Sequence, residues 1–343
     1  MKIVTIEDVK NLLRMYIPSA ALSAALELHL FKQLNESPQS VQSISKTFDI
    51  PLDRCRCWLD LLVGLDLLER KNGIYSPSSV AQTTLIQTYS HETWSQLAQE
   101  GRERYLLGND LILHISHPRS VWEAQGKKPP DWFKQIEEDT ERARRFTRML
   151  YELHQPLGKT LAQILDMSGV KRLMDLGGGS GVISLALLEQ NPDLTAVVVD
   201  IPNICIVGRE IAATTTAEDR IIYHAANILQ DELPTGFDMI LDCDAGFYSE
   251  EILSKLYGVL NKNGHLVIVD WWNRGITDSQ PAGESSLQHL MQRFESSLEV
   301  SSFTYTVNTL VKEIKNRLSK AGFSNITEQT LEDKTMIIRA RKV

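Results

Sequence analysis

The 343-residue chain has no long hydrophobic run: nowhere do about 18 apolar residues follow one another, as a membrane-spanning helix requires. Its first residues, MKIVTIEDVKNLL, carry acidic side chains where a secretion signal would be basic and then apolar. We therefore expect no membrane partner, no secretion and a cytoplasmic location.

Cysteine is also scarce. The chain has four cysteines, and none of them forms a CxxC pair: Cys55, Cys57, Cys205 and Cys243. This spacing predicts reduced thiols and excludes the usual pattern of a structural zinc site.

Basic side chains are outnumbered, because 36 Lys and Arg stand against 44 Asp and Glu, for a net charge of −8. Neutralisation of phosphates is the main sequence-independent source of nucleic-acid affinity. The charge balance therefore disfavours a nucleic-acid partner and favours small-molecule ligands.

The first 100 residues predict helices followed by a short hairpin. Two helices meet at Ile50-Pro51, and Lys71-Asn72-Gly73 supplies a tight turn before a polar strand. This order is typical of a winged helix. The helix over 52–70 carries four acidic and three basic side chains, which favours a dimer-forming module over one that reads a DNA groove.

The rest of the chain predicts a helical bridge and then an α/β domain. From about residue 160, short apolar runs alternate with helical segments: RLMDL, TAVVVD, RIIYHAA, FDMILDCD and HLVIVD. Strands that alternate with helices indicate a parallel sheet. The closing pair, NITEQTL and TMIIRARK, predicts an added hairpin.

The stretch GGGSG follows the first of these strands, at the start of a helix. It lacks the GxGxxG spacing of dinucleotide-binding turns, since Val182 stands where the last glycine belongs, and no GK[ST] follows it as in a P-loop.

Two acidic residues indicate what the glycine turn binds. Asp200 ends the second strand, where a carboxylate can accept hydrogen bonds from both ribose hydroxyls of an adenosine. Asp175, beside the turn, can meet an ammonium group. A cationic ligand with an adenosine, an amino acid and no phosphate fits this pair, and S-adenosylmethionine is such a ligand.

The segments LMDLGGGSG, VVVDIPN, HAANILQDELPTGFDMI and HLVIVD occur in this order behind the helical module and VWEAQGKKPPDWF. Over nearly its whole length the chain resembles the S-adenosylmethionine-dependent O-methyltransferases of the plant caffeate and bacterial polyketide-tailoring type. The resemblance implies an α/β fold, with a Rossmann-like class I methyltransferase sheet and an N-terminal all-helical winged-helix dimerisation domain. It also implies a homodimer that binds a small-molecule acceptor. The predicted boundaries are 1–100 for the dimerisation domain, 101–154 for the bridge and 155–343 for the methyltransferase domain.

The resemblance also assigns cofactor-binding positions. Those at the methionine end are Asp175, Gly177, Gly178 and Gly179; those at the ribose and adenine are Asp200, Ile201, Asn227 and Ile228. Asp242 stands at the position of a family lysine near the cofactor, with Cys243 next to it.

One expected catalytic residue is missing. The family carries a stretch like LHDWSDE, whose histidine removes the proton of the acceptor hydroxyl, whereas this chain reads LDCDAGFYSEE. Matching Ser249-Glu250-Glu251 to the end of that stretch places Gly246 at the histidine, and no histidine lies between His224 and His265. The acceptor is then acidic by itself, or another residue is the base, or transfer chemistry has been lost.

The catalytic candidates are Asp244, His289 and Tyr248, each with a plainer alternative: a loop acid or helix cap, a surface histidine and a pocket wall. Two ligand candidates, Asp244 and His289, are too few to predict a metal. The residues expected to line the acceptor pocket are Met149, His154, Phe247, Trp271 and Trp272.

The sequence thus predicts an S-adenosylmethionine-dependent methyltransferase that modifies oxygen or carbon of a small planar or aromatic secondary-metabolite or pigment-like acceptor. Two alternatives remain at this point. One is an enzyme of the same fold that binds S-adenosylmethionine but catalyses a non-methylating reaction; the other is a ligand-sensing winged-helix DNA binder.

Overall fold

A computed structural model describes residues 3–108, 126, 132–270, 307–332 and 335–343 of the chain. The chain divides into two compact units, residues 1–109 and 110–343. Within the described ranges, no helix combines the length and the apolar character that crossing a membrane would require.

The N-terminal unit is helical except for a small sheet. Its helices are α1 (Ile6–Leu13), α2 (Tyr16–Glu27), α3 (Leu30–Glu36), α4 (Val41–Thr47), α5 (Leu52–Gly64), α6 (Ser79–Ala81) with a π-helical turn (Gln82–Ile86), and α7 (His91–Gly108). Its strands are β1 (Gln39–Ser40), β2 (Leu68–Lys71) and β3 (Ile74–Pro77). They pair antiparallel in the order β1-β3-β2, so the predicted order of two helices and a hairpin is present. The helix predicted over 52–70 is too long: it ends at Gly64, because Asp66 adopts a left-handed φ of 56° and Leu68–Lys71 pair as β2.

Helix α1 differs from the other helices of this unit because none of its residues is buried. Thr5 caps its first turn by accepting a hydrogen bond from the Asp8 amide, and Asp8 bonds back to the Thr5 amide. Its large apolar side chains are exposed, Ile6 to 78% and Leu13 to 74%.

The C-terminal unit is built around a seven-stranded sheet in the order β6-β5-β4-β7-β8-β10-β9. Its strands are β4 (Arg172–Leu176), β5 (Thr195–Asp200), β6 (Ile221–Ala225), β7 (Phe237–Cys243), β8 (Leu260–Asp270), β9 (Ser324–Thr330) and β10 (Met336–Arg341). The first five in chain order are parallel, and β10 runs antiparallel to both β8 and β9. Each of these strands overlaps one of the predicted segments, although β8 begins at Leu260, five residues before HLVIVD, and the closing hairpin is confirmed.

Helices cover the sheet, so the central strands β4, β5 and β7 are buried on both faces, whereas the edge strands β6 and β9 expose part of their residues. The helices of this unit are α8 (Trp132–Glu138), α9 (Thr140–Ile164), α10 (Val182–Gln190), α11 (Pro202–Ala212), α12 (Glu250–Val259) and α13 (Val307–Lys320). Successive strand residues enter two different cores: Leu173 belongs to one and Met174 to the other. Helix α9 continues through Pro156, across the predicted boundary at residue 155. The three-part division of the chain stays a prediction.

The strand order places a crevice at the carboxyl edge of the sheet. Strand β4 lies between β5 and β7, so the chain leaves β4 in one direction along the sheet and later returns on its other side. Open α/β sheets bind ligands at such a switch point. The glycine turn follows β4 directly.

Candidate active site

The glycine turn has a backbone that side chains would obstruct. Gly177 and Gly179 adopt positive φ angles of 64° and 59°. An added Cβ on Gly178 would lie 2.4 Å from Cγ of Asp175, whereas one on Gly179 would meet no described heavy atom within 4 Å. The turn therefore packs tightly on its own strand and is open at Gly179, where a ligand can approach the backbone.

Asp175 is buried beneath this turn with one oxygen unpaired. The side chain is 1% exposed, and its Oδ2 accepts a 2.7 Å hydrogen bond from Ser184 Oγ. Its Oδ1 has no hydrogen-bond partner in the described part of the chain. Burial, reinforced by the charge of Asp200, raises the pKa of Asp175 to about 6.

Asp200, at the end of β5, joins the turn to the next strand. Its Oδ2 accepts a 2.9 Å hydrogen bond from the Gly179 amide, and its Oδ1 accepts one of 2.7 Å from the Ile201 amide. Desolvation raises its pKa to about 6 in spite of these two bonds. Each oxygen keeps a second lone pair for a ligand hydroxyl.

The turn after β6 is held by side-chain bonds. Asn227 Oδ1 accepts a 3.0 Å hydrogen bond from the Leu229 amide, and Asp231 Oδ2 accepts one of 2.8 Å from the Asn227 amide. Lys255, on α12, donates to the carbonyl oxygens of Ile228, at 2.9 Å, and Asp231. The amide oxygen of Asn227, expected to meet an adenine, thus already accepts one bond and retains one lone pair.

Asp242 is the second buried carboxylate with an unpaired oxygen. It is 1% exposed; its Oδ1 accepts a 3.3 Å hydrogen bond from the Ala245 amide, and its Oδ2 finds no partner among the described residues. Burial and the charge of Asp270 raise its pKa to about 7. Burial also raises the pKa of the neighbouring Cys243 thiol, which stays protonated at neutral pH.

Asp244 lies outside the strand. β7 ends at Cys243, and Asp244 is exposed with a left-handed φ of 59°. An extended strand through Asp244 would have placed its side chain beside that of Asp242, but the left-handed backbone ends the alternation of faces. Asp242 and Asp244 are therefore not neighbours on one strand face.

Tyr248 forms a hydrogen-bonded pair that the sequence did not reveal. Its hydroxyl donates to Oδ2 of Asp270 over 2.6 Å, across 22 residues of sequence. Burial and the charges of Asp242 and Asp270 raise the pKa of Tyr248 far above its usual value. The phenol remains protonated at neutral pH and acts as a hydrogen-bond donor. The only sequence signal for Asp270 was its place at the end of an apolar run, as for Asp200.

The expected acceptor-pocket residues are only partly described. Phe247 approaches the glycine turn, since its Cε2 would lie 3.4 Å from a Cβ on Gly177. Met149 and His154 lie on α9, where Met149 is buried and His154 partly exposed. The remaining candidates lie outside the described residues: Trp271, Trp272 and His289. Among the described side chains, no group of three or more His, Cys, Asp or Glu is arranged to hold a metal ion.

Two protein-family models match the chain. That of the O-methyltransferase dimerisation domain matches residues 10–87, and that of the O-methyltransferase domain matches residues 109–324, more than half of the chain. The chain belongs to the O-methyltransferase family. It is an S-adenosylmethionine-dependent methyltransferase, and this membership does not favour the two alternatives drawn from the sequence.

Individual relatives of this methyltransferase are distant. The 3-hydroxy-5-methyl-1-naphthoate 3-O-methyltransferase of Streptomyces sahachiroi is 28% identical over 64% of this chain and 62% of its own length. The L-tyrosine C(3)-methyltransferase of Streptomyces lavendulae is 26% identical over 91% of this chain and 85% of its own. The solved structure of PigF with SAH shares the fold, with a TM-score of 0.81 and 19% identity over 99% of this chain and 100% of that one.

The described residues of this methyltransferase fit the cofactor. S-adenosylmethionine carries two cationic groups, an ammonium and a sulfonium, and the crevice has two buried carboxylate oxygens without partners, on Asp175 and Asp242. The charges that act on these two side chains come from further carboxylates, Asp200 and Asp270. A crevice of this kind favours a cation.

Proposed function

We propose that this methyltransferase modifies a small planar acceptor, of the aromatic secondary-metabolite or pigment class, at oxygen or at carbon. Two relatives support this proposal, since one is a 3-O-methyltransferase of a hydroxynaphthoate and the other a C(3)-methyltransferase of tyrosine. The sequence supports it as well, because an acidic hydroxyl or an enolisable carbon needs the missing histidine less than an ordinary phenol does.

The observation that carries the cofactor part of the proposal is the pair of buried, unpaired carboxylate oxygens on Asp175 and Asp242. Leaving one oxygen of a buried carboxylate without a hydrogen-bond partner costs about 1 to 3 kcal/mol or more. A bound cation would offset that cost at both positions.

Each cofactor-binding residue has an assigned part in this proposal. Asp200 accepts the ribose hydroxyls, and Ile201, Asn227 and Ile228 surround the adenine. Gly177, Gly178 and Gly179 leave room for the methionine part, whose ammonium meets Asp175; Asp242 and Cys243 complete the crevice. When bound, the cofactor supplies an electrophilic methyl group.

The acceptor side rests on fewer described residues. Phe247 and Tyr248 provide aromatic walls; the Tyr248 hydroxyl donates its only proton to Asp270, so its oxygen can accept a hydrogen bond from the acceptor. Asp244 is the proposed proton acceptor because it is an exposed carboxylate beside these walls. Met149 and His154 remain proposed lining residues, and Trp271, Trp272 and His289 remain predictions from the sequence.

Calorimetry with S-adenosylmethionine tests the cofactor assignment. Asp200→Ala should weaken binding by about 1 to 3 kcal/mol, since it removes a carboxylate that would accept the ribose hydroxyls. Unchanged affinity would exclude the ribose role of Asp200. Binding of NADH or ATP in place of S-adenosylmethionine would exclude the whole assignment.

A panel of planar phenols and hydroxynaphthoates tests the acceptor class through formation of S-adenosylhomocysteine. Product with any member supports the proposal. Retention of S-adenosylmethionine with every member, under conditions where it binds, argues against a planar phenolic acceptor.

We also propose that the N-terminal unit is a winged-helix module that forms a homodimer in the cytoplasm and does not bind DNA. The net charge of −8 supports this, and so does helix α5, whose two acidic and two basic side chains give it no net positive charge. A salt-dependent gel shift with duplex DNA would contradict it.

A further inference from the structure

Asp242 has an unexplained charge at a position where the resemblance implies a lysine. The side chain is 1% exposed; its Oδ1 accepts a 3.3 Å hydrogen bond from the Ala245 amide, and the backbone of Phe247 and Gly246 also lowers its pKa, whereas its Oδ2 has no partner among the described residues. A buried carboxylate in this state is destabilising unless a ligand completes its hydrogen bonding and balances its charge.

The place of Asp242 in the sheet limits which part of the cofactor can reach it. Asp242 lies beside Leu176, the last residue of β4, and Ala245 packs against Gly177 of the glycine turn. Asp200 ends β5, on the other side of β4, so about 10 Å, or two strand spacings, separate the strands of Asp200 and Asp242.

The order of the strands gives the cofactor a direction. Asn227 follows β6, and Asp200, Asp175 and Asp242 lie on β5, β4 and β7 in the order of the sheet. If Asn227 and Asp200 hold the adenosine, its ribose directs the 5′ substituent toward β4 and β7. That substituent is the sulfonium.

Asp175 and Asp242 project from opposite faces of the sheet. Asp175 lies two residues after Leu173 and so shares the face of the first core. Asp242 lies two residues after Ile240 and shares the face of the second core. The two carboxylates are therefore placed to meet two different cations, and the ammonium is already assigned to Asp175.

We propose that Asp242 is the counter-ion of the sulfonium and makes this site selective for the charged cofactor over its neutral thioether product. The inference rests on the proposed function. When the methyl group has been transferred, the sulfonium charge is gone and Asp242 again lacks a partner. The site then holds S-adenosylhomocysteine more weakly than S-adenosylmethionine, which favours product release.

Comparing the affinities of three ligands shows how much the sulfonium charge contributes to binding. S-adenosylmethionine carries a positive sulfur, S-adenosylhomocysteine a neutral sulfur, and sinefungin an amine-bearing carbon in place of sulfur. All three share the adenosine and the amino-acid end. Their dissociation constants are measured by calorimetry at pH 8 for the wild-type chain, Asp242→Asn and the control Asp238→Asn. The control removes a carboxylate from the opposite end of the same strand.

We expect Asp242→Asn to weaken the binding of S-adenosylmethionine and of sinefungin by about tenfold or more. Binding of S-adenosylhomocysteine should weaken by less than about threefold. Asp238→Asn should leave the ratio of the three affinities unchanged. An equal loss for all three ligands would assign Asp242 to the shared amino-acid end, and no loss would remove it from the site; either result overturns the proposal. If the wild-type chain binds none of the three, the proposed function itself fails.

Proton release at pH 7 provides a second readout. The titratable groups that interact with Asp242 are Asp270 at the end of β8, Tyr248 in the loop after β7 and the adjacent Cys243, which points to the other face of the sheet. Tyr248 and Cys243 stay protonated at this pH, so Asp242 is the group expected to lose a proton when the sulfonium binds. Calorimetry in two buffers of different ionisation enthalpy should show more protons released with S-adenosylmethionine than with S-adenosylhomocysteine. The Asp242→Asn variant should lose that difference; if it keeps it, Asp242 is not the source.

Discussion

Burial changes the acidity of the carboxylates around the glycine turn. Asp175 and Asp242 have pKa values raised to about 6 and about 7, because the folded chain removes them from water and places other carboxylates nearby. Asp238, at the far end of β7, has a lowered pKa because it accepts hydrogen bonds from Asn261 and from the Lys171 and Arg172 amides. Strand β7 thus carries two aspartates whose ionised forms have opposite effects on the free energy of unfolding.

This difference predicts opposite effects of two matched substitutions on the ligand-free protein. The folded-state pKa of Asp242 lies above its unfolded value, so its ionised form destabilises the fold at pH 8. Asp242→Asn should therefore raise the free energy of unfolding at pH 8, on the order of 2 kcal/mol, and by less at pH 5. The ionised form of Asp238 stabilises the fold, so Asp238→Asn should lower it at pH 8. Denaturant unfolding at both pH values measures this, and a destabilised Asp242→Asn at pH 8 would contradict the assigned burial cost.

Alanine substitutions at two adjacent glycines of the turn should affect stability and ligand binding to different extents. Gly179→Ala meets no described neighbour but adopts a left-handed φ, so it should cost about 1 kcal/mol of stability and place a methyl group where the ligand approaches. Gly178→Ala would collide with the Asp175 carboxyl group and should destabilise the fold more. Thermal unfolding and calorimetry of both variants test this. A Gly179→Ala variant with undiminished affinity for S-adenosylmethionine would show that the ligand does not approach that side.

At the level of elements, the turn after β6 depends on a helix that follows it in the chain. Lys255, on α12, bonds to two carbonyl oxygens of this turn, and Asp231 bonds to its first amide. The turn is thereby fixed before any adenine binds. Fixing a loop in its bound conformation improves affinity by reducing the ordering cost.

Lys255→Met should weaken the binding of S-adenosylmethionine and of S-adenosylhomocysteine by the same factor, about three- to tenfold, because both ligands carry the adenine. Lys255→Arg should restore much of the affinity, since it keeps a donor on a long side chain. Calorimetry with the two ligands measures both variants. A loss confined to S-adenosylmethionine would place Lys255 near the sulfonium and contradict this role.

At the level of the whole molecule, helix α1 presents apolar side chains to solvent. Ile6 is 78% and Leu13 is 74% exposed, although the dimerisation model of the family begins matching at residue 10. An isolated helix of eight residues is marginally stable in water. A partner subunit that covers this face would account for both the exposure and the helix.

Light scattering should therefore find a dimer. Substituting both Ile6→Asp and Leu13→Asp should shift the protein toward monomers without loss of its secondary structure, because neither side chain contributes to a described core. Ile222→Asp, on a strand of the other unit and 64% exposed, is the matched control and should leave the dimer intact. A monomeric wild-type protein would contradict the proposed homodimer.

The sequence alone determined the strands, the glycine turn and the class of ligand. Apolar runs such as TAVVVD predict buried parallel strands because helices cover both faces of such a sheet. Asp175 and Asp200 could be interpreted from their places next to a glycine turn and at the end of a strand. Each of these features is local, so its physical reason lies within a few residues of sequence.

Tertiary structure alone decided the partners and the charge states. The Tyr248–Asp270 pair joins residues 22 positions apart, and Lys255 reaches a turn 27 residues before it. The faces of Asp175 and Asp242, and the unpaired oxygen of each, depend on which strands lie side by side. Burial and neighbouring charge set a pKa, and both arise only when distant segments of the chain pack together.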